Sequence, residues 1–254
     1  MRAYLAFTQK ELIENLRTYK LLIMLMVFLL FGMLSPLTAK LIPKLLGALM
    51  TEGIQITMAD PTALDSWMQF FKNVSQMGLI VLAILFSGMM ANEFSRGTFI
   101  NILTKGLPRS TVILSKFTMA SVIWTISYFL CFGVCYAYTA YFWNGDGIVN
   151  LLSSVFCLWL FGILLLAVIL LGGVICRNSY GCLMFTGGFT AILFLLNIVP
   201  KLLKYNPIAL ASSNMSLLTG DTMPKDLMAP AIICIAIIIL SIVTAIEVFN
   251  KKQI

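Results

Sequence analysis

Residues 150–175 read NLLSSVFCLWLFGILLLAVILLGGVI and contain no charged side chain. A run of this length decides the fold class, because about 20 apolar helical residues cross the roughly 30 Å hydrocarbon core of a bilayer. Five further apolar runs occupy about 21–42, 74–91, 117–142, 182–199 and 228–249. All six runs are continuous, whereas the strands of a membrane barrel alternate apolar and polar residues. The sequence therefore predicts an all-α integral membrane protein with six transmembrane helices.

The overall composition excludes a water-soluble domain. Apolar and aromatic residues make up 60% of the 254 residues, and charged residues make up 11%. Soluble domains carry about 25% charged residues. No second, soluble domain is expected, so residues 21–254 are predicted to form one six-span transmembrane domain.

The distribution of basic residues predicts the orientation. If both termini lie in the cytosol, eleven of the 17 lysines and arginines lie on the cytosolic side, and so does the whole net charge of +7. Cytosolic loops of membrane proteins carry an excess of lysine and arginine. Both termini are therefore predicted to be cytosolic.

Residues 1–20 are predicted to form an amphipathic helix on the inner membrane surface. One face of this helix is apolar and the other is charged. The apolar face carries Leu5, Leu12, Leu16 and Tyr19, and the charged face carries Lys10, Glu11, Glu14 and Arg17. A general membrane-surface anchor and a specific mechanical role fit this pattern equally well.

The residue types present exclude most enzyme chemistry. The 254 residues contain no histidine and no G-x-x-x-x-G-K-[ST] motif, and no acidic residue lies near the centre of a span. We therefore predict no catalytic residue, no metal site and no nucleotide site in this chain. Every charge lies at a span end or in a loop, which argues against an ion-coupled carrier. Weakly polar residues deep in the spans are the candidates for a substrate path, namely Asn197, Thr125 and Thr190.

Two longer segments lie on the outer side in this scheme, residues 40–73 and 200–227. Pro36, just before the first of them, predicts a kink or an early end of the first span. Pro61 is expected to begin a separate helical stretch. Its aromatic residues Trp67, Phe70 and Phe71 fit either an interfacial belt or a lid, and the belt is the simpler interpretation.

The stretch Asn92–Lys116, read as NEFSRGTFINILTKGLPRSTVILSK, is the main polar segment between two apolar runs. Residues 92–104 are predicted to form one helix, and Gly106-Leu107-Pro108 is predicted to end it. Gly97 has no side chain, so another surface can approach closely there. A plain basic loop that follows the positive-inside rule would carry the same charges.

The order of residues in this stretch resembles a known family. Glu93-Phe94-Ser95-Arg96-Gly97-Thr98, then Pro108-Arg109-Ser110 and Ser115-Lys116, is similar to the loop between the second and third spans of permease subunits of type-2 ABC transporters. The segment around Lys10-Glu11-Leu12 and Arg17 is similar to that family's N-terminal interfacial helix. The resemblance extends over the whole chain and includes the length of the small bacterial members.

The resemblance implies a permease subunit of an ATP-driven exporter in a bacterial plasma membrane. Two separate ATPase subunits would bind ATP and Mg²⁺, and a second permease, identical or related, would complete the transporter within the membrane lipid, with no nucleic acid involved. Glu93–Lys105 would be the coupling helix, and Cys176–Gly181 would form a smaller contact. The residues assigned to coupling are Glu93, Arg96, Gly97, Thr98, Arg109, Lys116 and Arg177.

The apolar spans suggest a hydrophobic or amphipathic substrate, such as a drug or an antimicrobial peptide. The alternative is an ATPase-independent membrane scaffold or a channel-like subunit.

Overall fold

The computed structural model describes residues 2–49, 60–95, 97, 98, 104, 106–143 and 148–252. These residues form helices joined by short turns, and no strand occurs among them. The all-α prediction is confirmed. By length and composition, six helical stretches in this part of the chain are apolar enough to cross a membrane.

The described part of the chain contains eleven α-helices and two segments of other helical type. Beside the α-helices there is a π-helical segment, Val74–Gly78, and a 3₁₀ turn, Pro224–Leu227. In the described part of the chain, the α-helices are α1 Arg2–Arg17, α2 Lys20–Leu49, α3 Ala63–Asn73, α4 Leu79–Ser95, α5 Arg109–Phe142, α6 Leu151–Cys176, α7 Ser179–Leu196, α8 Pro200–Leu203, α9 Ala209–Ser212, α10 Asn214–Thr219 and α11 Met228–Lys251.

The second apolar stretch differs most from its predicted bounds. It runs from Ala63 to Ser95 as α3, the π-helical segment and α4 without interruption, whereas the sequence predicted a span of about 74–91. The first span is also longer than the predicted range of about 21–42, since α2 continues through Pro36 to Leu49. Of the two alternatives predicted at Pro36, a kink or an early end of the span, the early end was therefore wrong. The helix backbone tolerates proline in a membrane span when neighbouring groups re-satisfy the freed carbonyl.

Helix α6 is the centre of the bundle. It packs against α4, α5, α7 and α11, and the small helices α9 and α10 cover it at one end. Most of its side chains are buried inside the protein, which explains why its sequence is apolar on every face. Helices α2, α7 and α11 lie at the periphery, and most of their side chains are at least partly exposed.

The helix directions bring five segments together at one end of the bundle. Helix α1, the C-terminal ends of α4, α6 and α11, and the N-terminal end of α5 all meet there, as their side-chain contacts demonstrate. We call this the basic end. Its basic residues include Lys10, Arg109, Lys116, Arg177 and Lys252.

The aromatic residues of α3 lie inside the protein. Trp67, Phe70 and Phe71 are almost fully buried. Trp67 and Phe70 pack against the ring of Phe132 in α5, with ring centroids 5.5 and 6.4 Å apart. An interfacial belt would expose these rings to lipid, so the belt interpretation was wrong. Their role is to hold α3 against α5.

Close contact between α5 and α6 depends on one glycine. A Cβ atom at Gly162 would overlap the indole ring of Trp124, which is fully buried and donates a hydrogen bond to the Trp159 carbonyl oxygen, 3.1 Å away. Helices in lipid associate through such close packing, because lipid tails are as apolar as the helix surfaces. Gly133 is also helical, but a Cβ atom there would meet nothing within 4 Å.

We expect Gly162→Ala to destabilise the protein by about 1–3 kcal/mol, because the added methyl group forces the buried indole to move. Gly133→Ala is the matched control and should be neutral or slightly stabilising, since alanine favours the helix. Thermal unfolding of both variants in one detergent measures the difference. Equal melting temperatures for the two variants would contradict the close α5–α6 contact.

Candidate coupling site: a buried ion network at the basic end

A lysine lies buried near the start of α5, at the basic end. The side chain of Lys116 is only 1% exposed. Its ammonium nitrogen lies 3.0 Å from each carboxylate oxygen of Glu11 and 2.9 Å from Oε1 of Glu93. A buried charge needs such partners, because an isolated ammonium in an apolar interior is strongly unfavourable. Lys116 thus ties α1 to α4 through α5.

The partners of Lys116 are also buried and share a second lysine. The side chains of Glu11 and Glu93 are 4% and 5% exposed. The half-exposed Lys10 contacts Glu11 at 3.0 Å, Glu93 at 2.7 Å and Glu14 at 2.6 Å. Two lysines and three glutamates therefore form one network, which we call the Lys116 network.

The geometry of α1 explains how Glu11 reaches the interior. Phe7, Glu11 and Asn15 are buried and lie four residues apart, so they share one face of the helix. The Tyr4 hydroxyl extends this contact by donating a hydrogen bond to Thr118 Oγ1 in α5, at 2.8 Å. The predicted apolar residues Leu5, Leu12, Leu16 and Tyr19 are exposed. Helix α1 therefore packs on the bundle through a face that carries both apolar and polar side chains, and it leaves an apolar face free for lipid.

Opposing effects set the pKa values of the two partly exposed members. Burial by itself would lower the pKa of Lys10, but hydrogen bonds with Glu14 and Glu93 and the charge of Glu11 raise it above its ordinary value. Burial would raise the pKa of Glu14, but the hydrogen bond from Lys10 and the charges of Lys116 and Lys20 lower it. Both shifts favour the charged forms.

The three carboxylates of the Lys116 network have lysines as their cationic partners. Oxygen atoms of Glu11, Glu14 and Glu93 lie within 4.8 Å of one another, a spacing that suits a metal ion. However, the ammonium groups of Lys10 and Lys116 already lie between them at hydrogen-bond distance. The positive charge that these carboxylates need is therefore supplied by the protein itself.

A second set of cationic contacts closes the basic end. Arg109, the first residue of α5, donates hydrogen bonds to the carbonyl oxygens of Phe249, Asn250 and Lys252 at the end of α11. Lys252 in turn donates to the carbonyl oxygens of Val174 and Ile175 in the last turn of α6. Cations at helix C-termini satisfy free carbonyl groups and the helix dipole.

The turn after α6 also contacts the end of α4. Arg177 has a left-handed backbone conformation, with φ of 58°, and its guanidinium lies 5.6 Å from the ring centroid of Phe94. The ring of Phe94 in turn packs edge-on against Phe249 of α11, with the centroids 6.0 Å apart. The residue next to Glu93 thus connects α4, α6 and α11.

The polar stretch between α4 and α5 begins with a turn. Helix α4 ends at Ser95, Gly97 has φ of 64°, and its N–H donates to the Phe94 carbonyl oxygen at 3.3 Å. The prediction of one helix over 92–104 was therefore wrong at Gly97. Thr98 Oγ1 donates to the Glu93 carbonyl oxygen, at 3.3 Å. Arg96, residues 99–103 and Lys105, which the predicted coupling helix includes, lie outside the described residues.

The structure brings some of the predicted coupling residues together and separates others. Glu93 and Lys116 are buried partners, so they are unable to contact another protein directly in this conformation. Gly97 and Thr98 lie in the adjoining turn, and Arg177 reaches the same region through Phe94. Arg109 caps α11 instead. In the predicted interfacial helix, Lys10 and Glu11 belong to the Lys116 network, whereas Arg17 is exposed at the end of α1.

The residues predicted to line a substrate path lie in three separate places. Thr190 lines a groove between α4 and α7, and Thr125 lines a smaller groove beside Trp159. Asn197 follows the last residue of α7, and its side-chain oxygen is buried without a hydrogen-bond partner among the described residues. These three residues do not outline one continuous path.

Comparison with known proteins shows a similarity to a bacterial membrane protein. No protein-family model matches the sequence. The chain has a relative in Bacillus. This chain is 23% identical over 212 residues to an uncharacterized transmembrane protein, YxlG, of Bacillus subtilis (strain 168). The match covers 82% of this chain and 81% of that protein. Together with the six apolar helices, this identifies a multi-pass membrane protein.

Sequence reasoning missed that the charged residues meet in the interior. Glu11 and Lys116 are 105 residues apart in the chain. One signal was present: Glu11 shares its helical face with Phe7 and Asn15 at a spacing of four residues, and a phenylalanine on a charged face indicates a contact with protein rather than with water. The position of Phe94 between three helices had no such signal.

We expect Lys116→Met to destabilise the protein by about 3–5 kcal/mol, because it leaves the buried carboxylates of Glu11 and Glu93 with the half-exposed Lys10 as their remaining cation in the Lys116 network. Combining it with Glu11→Gln and Glu93→Gln should restore much of the loss, since the uncompensated charges are then removed. Thermal unfolding in detergent measures both effects. Lys251→Met, at an exposed position of the same end, is the control. A loss equal to that of the control would contradict the network.

The Lys10–Glu14 pair predicts a defined pH dependence for the docking of α1. The lowered pKa of Glu14 gives a contribution that is present above the ordinary glutamate pKa and is lost as the pH falls through the lowered value. The raised pKa of Lys10 gives a contribution that is lost only as the pH rises above the ordinary lysine value. We expect constant docking between about pH 5 and pH 10.

Protease cleavage of α1 as a function of pH measures this docking. Cleavage should increase in acid for the native chain. Lys10→Met should be cleaved more readily at neutral pH and should depend less on acid. An identical pH profile for the two proteins would contradict the prediction.

Proposed function

We propose that this chain is the membrane-spanning permease subunit of an ATP-driven exporter. It has no catalytic site of its own in this proposal, and ATP and Mg²⁺ are bound by a separate ATPase, two copies of which dock at the basic end. A second permease subunit, identical or related, completes the transporter. The basic end then faces the cytosol of a bacterial cell, in line with the positive-inside rule.

The observation that carries the proposal is the Lys116 network. The resemblance to type-2 ABC permeases assigns roles to the interfacial helix, to the loop after the second span and to the start of the third span. Glu11, Glu93 and Lys116 belong to these three segments, and their side chains meet within 3.0 Å. A network of this kind makes the three segments move together, because separating them would leave buried charges without partners.

The network also defines how movement would pass from the ATPase to the spans. Helix α4 ends directly after the network, and residues 96–108 connect it to α5, which begins at Arg109. A force on this connection would act on Glu93 and Arg109, and through them on α1, α5 and the C-terminal end of α11. Charged contacts that hold several helix ends are suited to tilt them as one body, which is a common form of transport switching.

The proposed cargo is hydrophobic or amphipathic. The spans contain few polar side chains, and the charges of the Lys116 network are paired with one another. A drug-like or antimicrobial peptide-like molecule would meet a mainly apolar surface. Membrane lipids are themselves amphipathic and therefore belong to the same chemical class as the proposed cargo.

Gly97 offers the sharpest test of the coupling role. Its φ of 64° disfavours a branched side chain by about 1–2 kcal/mol, yet a Cβ atom there would meet no atom within 4 Å. The experiment is co-expression of the chain with candidate ABC ATPases, followed by purification of the complex and measurement of ATP hydrolysis in nanodiscs. We expect Gly97→Val to lower the hydrolysis rate or the amount of bound ATPase by about tenfold.

Gly97→Asn separates two causes of that loss, namely the left-handed backbone conformation and the close approach of the ATPase. Asparagine accepts the left-handed conformation, so full activity would indicate that the conformation alone matters. Loss in both variants would indicate that the ATPase approaches the glycine closely. Unchanged activity in both variants would contradict a coupling role, and failure of the native chain to bind any ATPase would favour a scaffold or channel-like subunit.

A further inference from the structure

A groove opens on the side of the bundle between α4 and α7, with α6 at its floor. Its volume is about 730 Å³, within the range of ligand pockets. On one wall it extends from Met68 to Ile84 and on the other from Phe194 to Leu183. The loop helices α9 and α10 close its upper end, opposite the basic end.

The groove has the depth of one bilayer leaflet. Lys72 and Ile84 are twelve residues apart on one continuous helical stretch, which corresponds to about 18 Å at 1.5 Å per residue. Half of the roughly 30 Å hydrocarbon core is about 15 Å. A ligand that begins at Lys72 and ends near Ile84 therefore has the length of a lipid acyl chain.

The polarity of the groove changes along this depth. Its upper end carries Lys72, Ser75 and Gln76, and Lys72 is the charged member among the described residues that line it. The middle is effectively apolar, since the hydroxyl groups of Thr186 and Thr190 bond to carbonyl oxygens of their own helix. One cationic end and one apolar channel are complementary to an anionic amphiphile.

The groove is accessible from the side. Ile80, Ile84 and Phe194 line it and are 55%, 57% and 63% exposed. In a multi-pass membrane protein these side chains face the lipid, so an acyl chain can enter laterally without crossing a polar region. The π-helical segment Val74–Gly78 supplies Ser75 and Gln76, and π-helical turns within α-helices are frequent at functional sites.

We propose that this groove binds a phospholipid with an anionic headgroup. A phosphate oxygen of the lipid contacts the Lys72 ammonium, and one acyl chain lies along α4 and α7 as far as Ile84. A lysine binds a phosphate group through the point charge of its ammonium. The site goes beyond the proposed export function and does not require an ATPase, so lipid binding is measurable on the chain alone.

The test is native mass spectrometry of the purified protein in detergent containing equal amounts of phosphatidylglycerol and phosphatidylcholine with the same acyl chains. We expect about fivefold more bound phosphatidylglycerol, because one lysine near an anionic lipid contributes about 1 kcal/mol. Lys72→Gln should abolish this preference. Lys204→Gln is the control, since Lys204 is exposed and does not line the groove. Equal preference in the two variants would overturn the headgroup assignment.

A second pair of variants tests the acyl chain. Gly187 and Gly188 are neighbours on α7, and a Cβ atom at either would meet nothing within 4 Å, but only Gly187 is among the groove-lining residues. Gly187→Trp should fill the groove and reduce binding of both lipids at least fivefold, whereas Gly188→Trp should bind like the native chain. Equal binding by the two variants would overturn the proposal. So would displacement of the lipid by soluble glycerol phosphate, which has no acyl chain.

Discussion

The charge of Lys116 constrains the whole basic end. An ammonium group with 1% of its side chain exposed is tolerated only where anionic partners lie at hydrogen-bond distance. Glu11 from α1 and Glu93 from α4 supply them, so α1 has to lie against α5, and α4 has to end beside it. Charge pairing therefore determines the arrangement of helix ends here, where apolar packing alone would leave them free to slide.

The apolar part of the bundle obeys a different constraint. Helices in lipid gain little from burying apolar surface, so their contacts depend on shape. Gly162 lets Trp124 lie against α6, and the aromatic side chains of α3 fill the space beside α5. Between α4 and α7 a groove remains open to the side. The rigid basic end and the open groove lie at opposite ends of α4, so that helix connects the proposed coupling site with the proposed lipid site.

The candidate site was only partly predictable from sequence. Glu93, Lys116 and Glu11 were each singled out, the first two by their order in the loop and the third by its place in the amphipathic helix. Their meeting was not predicted, because it depends on which face of α1 turns inward. That face carries Phe7 and Asn15 as well as Glu11. The rotation of a helix about its axis follows from its contacts with neighbours, and a weakly amphipathic sequence leaves several rotations equally acceptable.

The sequence by itself determined the all-helical class and the six apolar helices. These follow from local properties, since each helix satisfies its own backbone hydrogen bonds and needs only enough apolar length. The start of the second stretch at Ala63, the continuation of α2 through Pro36 and the turn at Gly97 were decided by the tertiary structure. So were the Lys116 network and the groove beside Lys72. The network and the groove depend on side chains from distant parts of the chain, and pairing between such side chains has no signature in any single segment.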